Sequence, residues 1–166
     1  MAQAKVTHKD ADKDDKEDKT DTVYKLYFAK DQKSYFLVPE TKCKSTYANK
    51  LCSDLVDNTS FSKFLILDDL YKTQYGAPTE HGLLTYKTQF VSEAHQLWLK
   101  KNGEPAHFTA PTGGLGAAVM VHCEMTGKSA IKLTAITDGH YYSSEMMTEA
   151  YEKCFKEFGF GDISEI

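Results

Sequence analysis

Apolar and polar positions alternate in a way that divides the chain before any motif is considered. Residues 1–22 carry lysine and acid mixed together with no aromatic residue. Such a stretch buries too little apolar surface to offset its ordering entropy, so it reads as a disordered tail. From Val23 the pattern changes. V-Y-K-L-Y-F-A-K and S-Y-F-L-V-P are two β-rich runs around the polar D-Q-K, a hairpin signal. Pro39 ends the second strand or marks it as an edge. Tyr47, Leu51 and Leu55, with Ala48, Cys52 and Val56 beside them, recur at helical spacing over residues 45–56, behind Ser45 as a candidate N-cap.

The unbroken apolar run Phe64 to Leu67 fits a strand covered on both faces, as in an α/β sheet. Residues 71–90 are mixed and contain Gly76, Pro78 and Gly82, so a long loop is expected there. Ala94, Leu97 and Trp98 restore helical spacing between Ser92 and Lys101, and Asn102-Gly103 closes that helix. A-H-F-T-A at 106–110 is a short strand candidate leading into a glycine loop. The segment from Gly116 to Met125 is a helix apolar almost all round, a pattern typical of burial. Ala130 to Thr137 is a strand, Asp138-Gly139 a turn. Ser143 or Ser144 caps a last helix with Met146, Met147, Ala150, Tyr151, Cys154, Phe155 and Phe158 inward, and Gly159 stops it.

The order is hairpin, helix, strand, helix, strand, helix, strand, helix. It predicts an α/β layered sandwich, a mixed central sheet flanked by helices. The expected organisation is a tail over 1–22, one domain over 23–160 and a loose end over 161–166. A length of 166 residues suits one such core.

Charge narrows the chemistry. The net charge is −4, so no global basic field points to nucleic acid. Every cation is lysine, and arginine's planar fork for phosphate or guanine is missing. Cys43, Cys52, Cys123 and Cys154 form no C-x-x-C pair and read as free thiols in a reducing compartment. No signal peptide or membrane span is apparent, which gives the expectation of a soluble intracellular chain.

Gly127-Lys128-Ser129 ends like a phosphate loop, but the first glycine would fall at His122, and the motif follows a helix and opens a strand. The expected roles are a helix cap for Gly127 and dipole compensation by Lys128. Gly113, Gly114 and Gly116 sit better for an anion, between a strand and a helix, though close helix–sheet packing is the stronger reading of them. His140 follows a strand's C-terminal end, where α/β sheets bind ligands. Asp68-Asp69 end another strand and suit a metal or acid–base work, or a plain solvated end. His122 and Cys123 are neighbours on a helix and point apart, so they form no dyad. No metal spacing, cofactor motif or nucleophile elbow is present in the sequence.

The stretch G-L-G-A-A-V-M-V-H-C-E-M-T-G-K-S-A-I-K-L-T-A-I-T-D, followed by S-S-E-M-M-T-E-A-Y-E-K-C-F, resembles the proteasome assembly chaperone family. The matching positions are Ala117, Ala118, Val119, Met120 and Cys123, then Ala130, Ile131, Leu133, Thr137 and Asp138. The hairpin from Val23, F-L-I-L-D-D-L-Y-K-T-Q-Y-G and P-A-H-F-T-A-P extend the likeness in order over residues 23–158. Each motif is short and apolar; their order carries the weight.

The resemblance implies an α/β sandwich distantly similar to nucleoside phosphorylases without their active site. It implies a non-catalytic protein with no cofactor. Such a protein pairs as a heterodimer with a related subunit, binds proteasome α subunits, and belongs to the cytoplasm, with the nucleus as a second compartment. Nucleic acid and membrane are not expected partners. The family often docks through a tail with a penultimate tyrosine, whereas this sequence reads Ile163-Ser164-Glu165-Ile166 at that place. Docking then falls to the partner subunit's tail, to surface helices or to the 71–90 loop. Candidate contact residues are Tyr141, Tyr142, Met146, Met147, Ile163 and Ile166, with core packing the other reading of the methionines. The alternative is a small phosphorylase-like or hydrolase-like enzyme that uses Gly113, Gly114, Gly116 and His140. The two differ in what they should display: convergent polar groups near the glycine loop for an enzyme, or an apolar patch with a polar rim for a chaperone.

Overall fold

The computed structural model describes residues 3–7, 23–29, 34–39, 45–76, 82–106, 114–137 and 144–158. The chain divides into two compact units, Met1–Lys44 and Ser45–Ile166.

The first unit is a three-stranded antiparallel sheet of order β1-β2-β3, formed by β1 (Gln3–Thr7), β2 (Val23–Ala29) and β3 (Ser34–Pro39). The hairpin read from the sequence is present, with Ala29 opposite Ser34 and Tyr24 opposite Pro39. Pro39 is both the last residue of its strand and on a sheet edge, as a residue without an N–H donor must be. Part of the segment expected to lack structure is a strand: Gln3–Thr7 pairs with β2, Gln3 opposite Tyr27 and Thr7 opposite Val23. Five residues with one β-branched pair, Val6 and Thr7, give too little signal beside a run of charges; the partner strand supplies the hydrogen bonds.

The second unit holds α1 (Ser45–Val56), β4 (Lys63–Tyr71), α2 (Lys72–Tyr75), β5 (Leu83–Lys87), α3 (Glu93–Asn102), β6 (Glu104–Pro105), α4 (Gly114–Thr126), β7 (Ser129–Thr137) and α5 (Ser144–Glu157). Its sheet has the order β4-β7-β5-β6. β4 and β7 are parallel, β5 is antiparallel to β7, and β6 is parallel to β5, so the sheet is mixed. This is the α/β architecture that the alternation of elements predicts.

The layering follows from strand periodicity. Leu65 and Leu67 of β4, Ile131 and Leu133 of β7 and Leu83 of β5 share one face, packed with Trp98 and Leu99 of α3 and Tyr151, Cys154 and Phe158 from α5 and its end. Phe64 and Ile66 of β4 and Ala130 of β7 point the other way, against Cys52 and Val56 of α1 and Leu115, Val119 and Cys123 of α4. The unbroken apolar run in β4 is therefore shared between two cores. Full burial of a Leu, Ile or Phe side chain is worth roughly 1.5–3 kcal/mol, and the partly buried ones of β4 gain a share of it.

Two expectations are corrected. The 71–90 stretch is no continuous loop: it contains α2 and the inner strand β5. Leu83 and Leu84 are both buried, on opposite faces, so L-L-T-Y-K shows no alternation and is too short to stand out. A short strand, β6, lies at Glu104–Pro105, and Ala106 N–H donates to the Thr85 carbonyl at 3.1 Å; the strand candidate at 106–110 lies, beyond Ala106, outside the described residues. The helix around Val119 is not buried all round: Val119 and Cys123 face α1, while Val121 is 57% and Met125 79% exposed.

Gly103 ends α3 as expected, but not through a left-handed turn. Its φ is −154°, and a Cβ there would stand 2.5 Å from Thr85 Cγ2. Glycine is needed for close approach to β5 rather than for its backbone angle.

Candidate functional site

α4 enters at Gly114, whose φ is +70°, a conformation favouring glycine. Two residues on, Gly116 lies against the sheet: a Cβ would meet Ile66 Cγ2 at 2.9 Å and Lys132 Cε at 3.6 Å. The glycines thus bring the start of α4 down onto β4 and β7. Gly113 and His140, the other members of the sequence-derived anion site, lie outside the described residues, as do Tyr141, Tyr142, Ile163 and Ile166. Met146 and Met147 fall on α5, whose backbone alone is described there.

Beneath Gly116 is a polar cluster that no motif announced. Lys132, in the centre of the sheet, is 3% exposed. Its Nζ lies 2.8 Å from Asp68 Oδ2 and 5.2 Å from the centroid of the Tyr86 ring. Strand register brings these groups together: Ile66, Lys132 and Tyr86 are level across three strands, and Asp68, Thr134 and Leu84 are level one pleat further. Burial pushes the Tyr86 hydroxyl's pKa up, and Tyr75 and Asp68 add to the shift. Asp68 is therefore neither a bare strand end nor one of a free acid pair. Its carboxylate holds Lys132, its other oxygen accepts from Asp69 N–H at 3.0 Å, and its carbonyl accepts from the Tyr151 hydroxyl at 2.8 Å. The sequence signal was a lysine in an otherwise apolar strand, A-I-K-L-T-A-I.

Gly127 and Lys128 serve structure. Gly127 takes φ +73°, and Lys128 N–H donates to the Cys123 carbonyl at 2.9 Å, a Schellman-type close of α4. The expectation that the Lys128 side chain serves the dipole of α4 is corrected: Nζ donates to the Val56 carbonyl and, at 3.3 Å, to that of Thr59, so it caps the end of α1. With its donors so engaged, this lysine is not poised for a phosphate. His122 and Cys123 have different surroundings. His122 Nδ1 lies 3.9 Å from Asp57 Oδ2, while Cys123 is fully buried and its thiol is pushed up to about 11, chiefly by burial. Cys154, also buried, is pushed up to about 12. Such thiols stay protonated and are poor nucleophiles. Among the described residues no three His, Cys, Asp or Glu side chains gather as a metal site.

A second feature lies on the outer side of α4. Met120, Val121 and Glu124 form one wall of an open groove, and Lys87, Thr88 and Gln89 form the other. Phe90 (43% exposed), Val121 and Met125 present large apolar surface here, with Phe90 against Gly127. Glu124 Oε2 accepts from Gln89 N–H at 3.1 Å, and the buried Thr88 hydroxyl bridges Lys128 carbonyl and Ala130 N–H at 3.1 and 3.0 Å. These bonds fix the turn after β5 against α4. The result is an apolar strip with a polar rim.

The fold has solved counterparts. The chain aligns over 96% of its length with 68% of a Thermoplasma acidophilum protein of unknown function, at a TM-score of 0.67 and 13% identity. It is also similar to Pyrococcus furiosus PbaA, described as an archaeal homolog of proteasome-assembly chaperone. There 86% of this chain covers 61% of PbaA, with a TM-score of 0.62 and 14% identity, and a monoclinic form of PbaA gives 0.57. At these identities the likeness is one of fold. No family model matches the chain, and no curated protein does.

Proposed function

We propose that this chain is a non-catalytic chaperone of the proteasome-assembly type, with proteasome assembly chaperone 1 as the nearest kind. In this reading it pairs with a related subunit, and the pair binds proteasome α subunits while the core-particle ring is built, in the cytoplasm and also the nucleus. The observation that carries it is the fold shared with PbaA over 86% of the chain. The exposed strip of Phe90, Val121 and Met125 supports it, because exposed apolar patches mark binding surfaces.

The test is affinity capture of the tagged chain from its source cells, followed by mass spectrometry. Free proteasome α subunits together with one small α/β protein are the expected companions. Capture of the chain alone, at native expression and low salt, sinks the reading.

A further inference from the structure

The sheet face beneath α1 and α4 is apolar at Phe64, Ile66 and Ala130, then turns polar. Three donors gather there without enough acceptors. The Lys132 ammonium carries three N–H groups; Asp68 takes one at 2.8 Å, and the Tyr86 ring lies beside it. The Tyr86 hydroxyl and the Thr134 hydroxyl are both buried and have no hydrogen-bond partner. Thr134 is 3% exposed, as is Lys132. Register places Tyr86 level with Lys132, and Thr134 one pleat further toward the C-terminal edge on the same face. Buried hydroxyls without partners are rare and demand an explanation.

The start of α4 supplies a second reason to expect an acceptor. Its first-turn N–H groups have no partners within the helix, and its dipole is positive at that end. Gly116 brings that end close over Lys132 and Ile66. The Lys132–Asp68 pair is neutral as a unit, so the helix end leaves the cluster net positive. Asp68 is 38% exposed on its side chain and Gly114 is exposed, which leaves the cluster a side open to solvent.

We propose that Lys132, Tyr86 and Thr134, under the N-terminal turn of α4, bind a compact oxyanion of the phosphate or sulfate type. The anion accepts from the second Lys132 N–H and from both orphan hydroxyls, while Asp68 fixes the lysine. This site is distinct from the apolar strip and stands independently of the chaperone reading.

The experiment is titration of the full chain with inorganic phosphate at constant ionic strength, with chloride as the control ion. Calorimetry reads binding, and thermal melting reads stabilisation. Saturable binding of one phosphate per chain is expected, with a rise in Tm. Thr134→Val and Tyr86→Phe each remove one donor while keeping shape, and each weakens binding about tenfold, the loss of one hydrogen bond to a charged acceptor. Lys132→Met abolishes it; should that variant fail to fold, the two conservative variants carry the test. Thr137→Val removes another buried orphan hydroxyl, on the opposite face, and leaves binding unchanged. No saturable binding by the folded chain overturns the proposal and leaves ordered water as the partner of these hydroxyls. Binding that survives both Thr134→Val and Tyr86→Phe overturns it too.

Discussion

At the scale of single residues, Gly114 and Gly116 stand close together in the chain and do different jobs. A Cβ added at Gly114 would have nothing within 4 Å, but the residue holds φ +70°. Gly116 has an ordinary backbone angle but no room, with Ile66 Cγ2 at 2.9 Å from the place a Cβ would take. Gly114→Ala is expected to cost about 1 kcal/mol through backbone strain alone. Gly116→Ala should cost about 1–3 kcal/mol, because an added methyl must displace Ile66 from a packed layer. The second penalty should fall markedly in the double variant Gly116→Ala, Ile66→Val, whereas Ile66→Val should not relieve Gly114→Ala. Thermal denaturation of these single and double variants checks this. The sequence pattern points to both glycines and to their packing role. It does not separate the two causes, since the neighbour that crowds Gly116 stands on β4, far back in the chain.

At the scale of elements, α3 meets the end of α5 through His95 and Trp98, which stack edge-on against Phe158 at 4.6 and 5.2 Å between ring centroids. The pKa of His95 is lowered, first by burial and then by Lys63, with Glu157 opposing. A lowered value means the fold prefers the neutral ring. That contribution is complete above the unfolded value of about 6.5 and is lost as pH falls through the lower folded value. The Tm should therefore decline as pH falls from neutral into the acid range, and His95→Gln should flatten part of that decline. A Tm–pH profile that is identical in both proteins would contradict the assignment. Helical spacing placed α3 and its end closely, because its cap and stop are local: Ser92 accepts from His95 N–H at 3.4 Å and Gly103 N–H reaches Leu99 carbonyl at 3.0 Å. β5 escaped notice for the opposite reason. Its identity as a strand rests on pairing with β7, far along the chain, and on cover from both sides.

At the scale of the whole molecule, the described helices of the second unit use their apolar faces differently. α1 commits Cys52 and Val56 to one core, whereas α4 keeps Val121 and Met125 outside. Val121→Glu and Met125→Glu should change stability by less than about 0.5 kcal/mol, since neither side chain is buried. Under the chaperone reading both should abolish capture of partner subunits. Equal capture by these variants and the parent chain would move the docking surface elsewhere. No described helix is long and apolar enough to cross a membrane.

The sequence by itself determined the order of most elements, the α/β class and the two-sided burial of β4, because alternation, helical spacing and glycine stops act over a few residues. It also carried enough short apolar motifs in order to suggest the chaperone likeness. Only the tertiary structure decided that β5 lies inside the sheet, that Lys128 caps α1 rather than its own helix, and that Lys132, Asp68, Tyr86 and Thr134 meet. Those four stand on three strands far apart in the chain. Strand pairing and register bring them onto one face, and no local pattern records which strands will be neighbours.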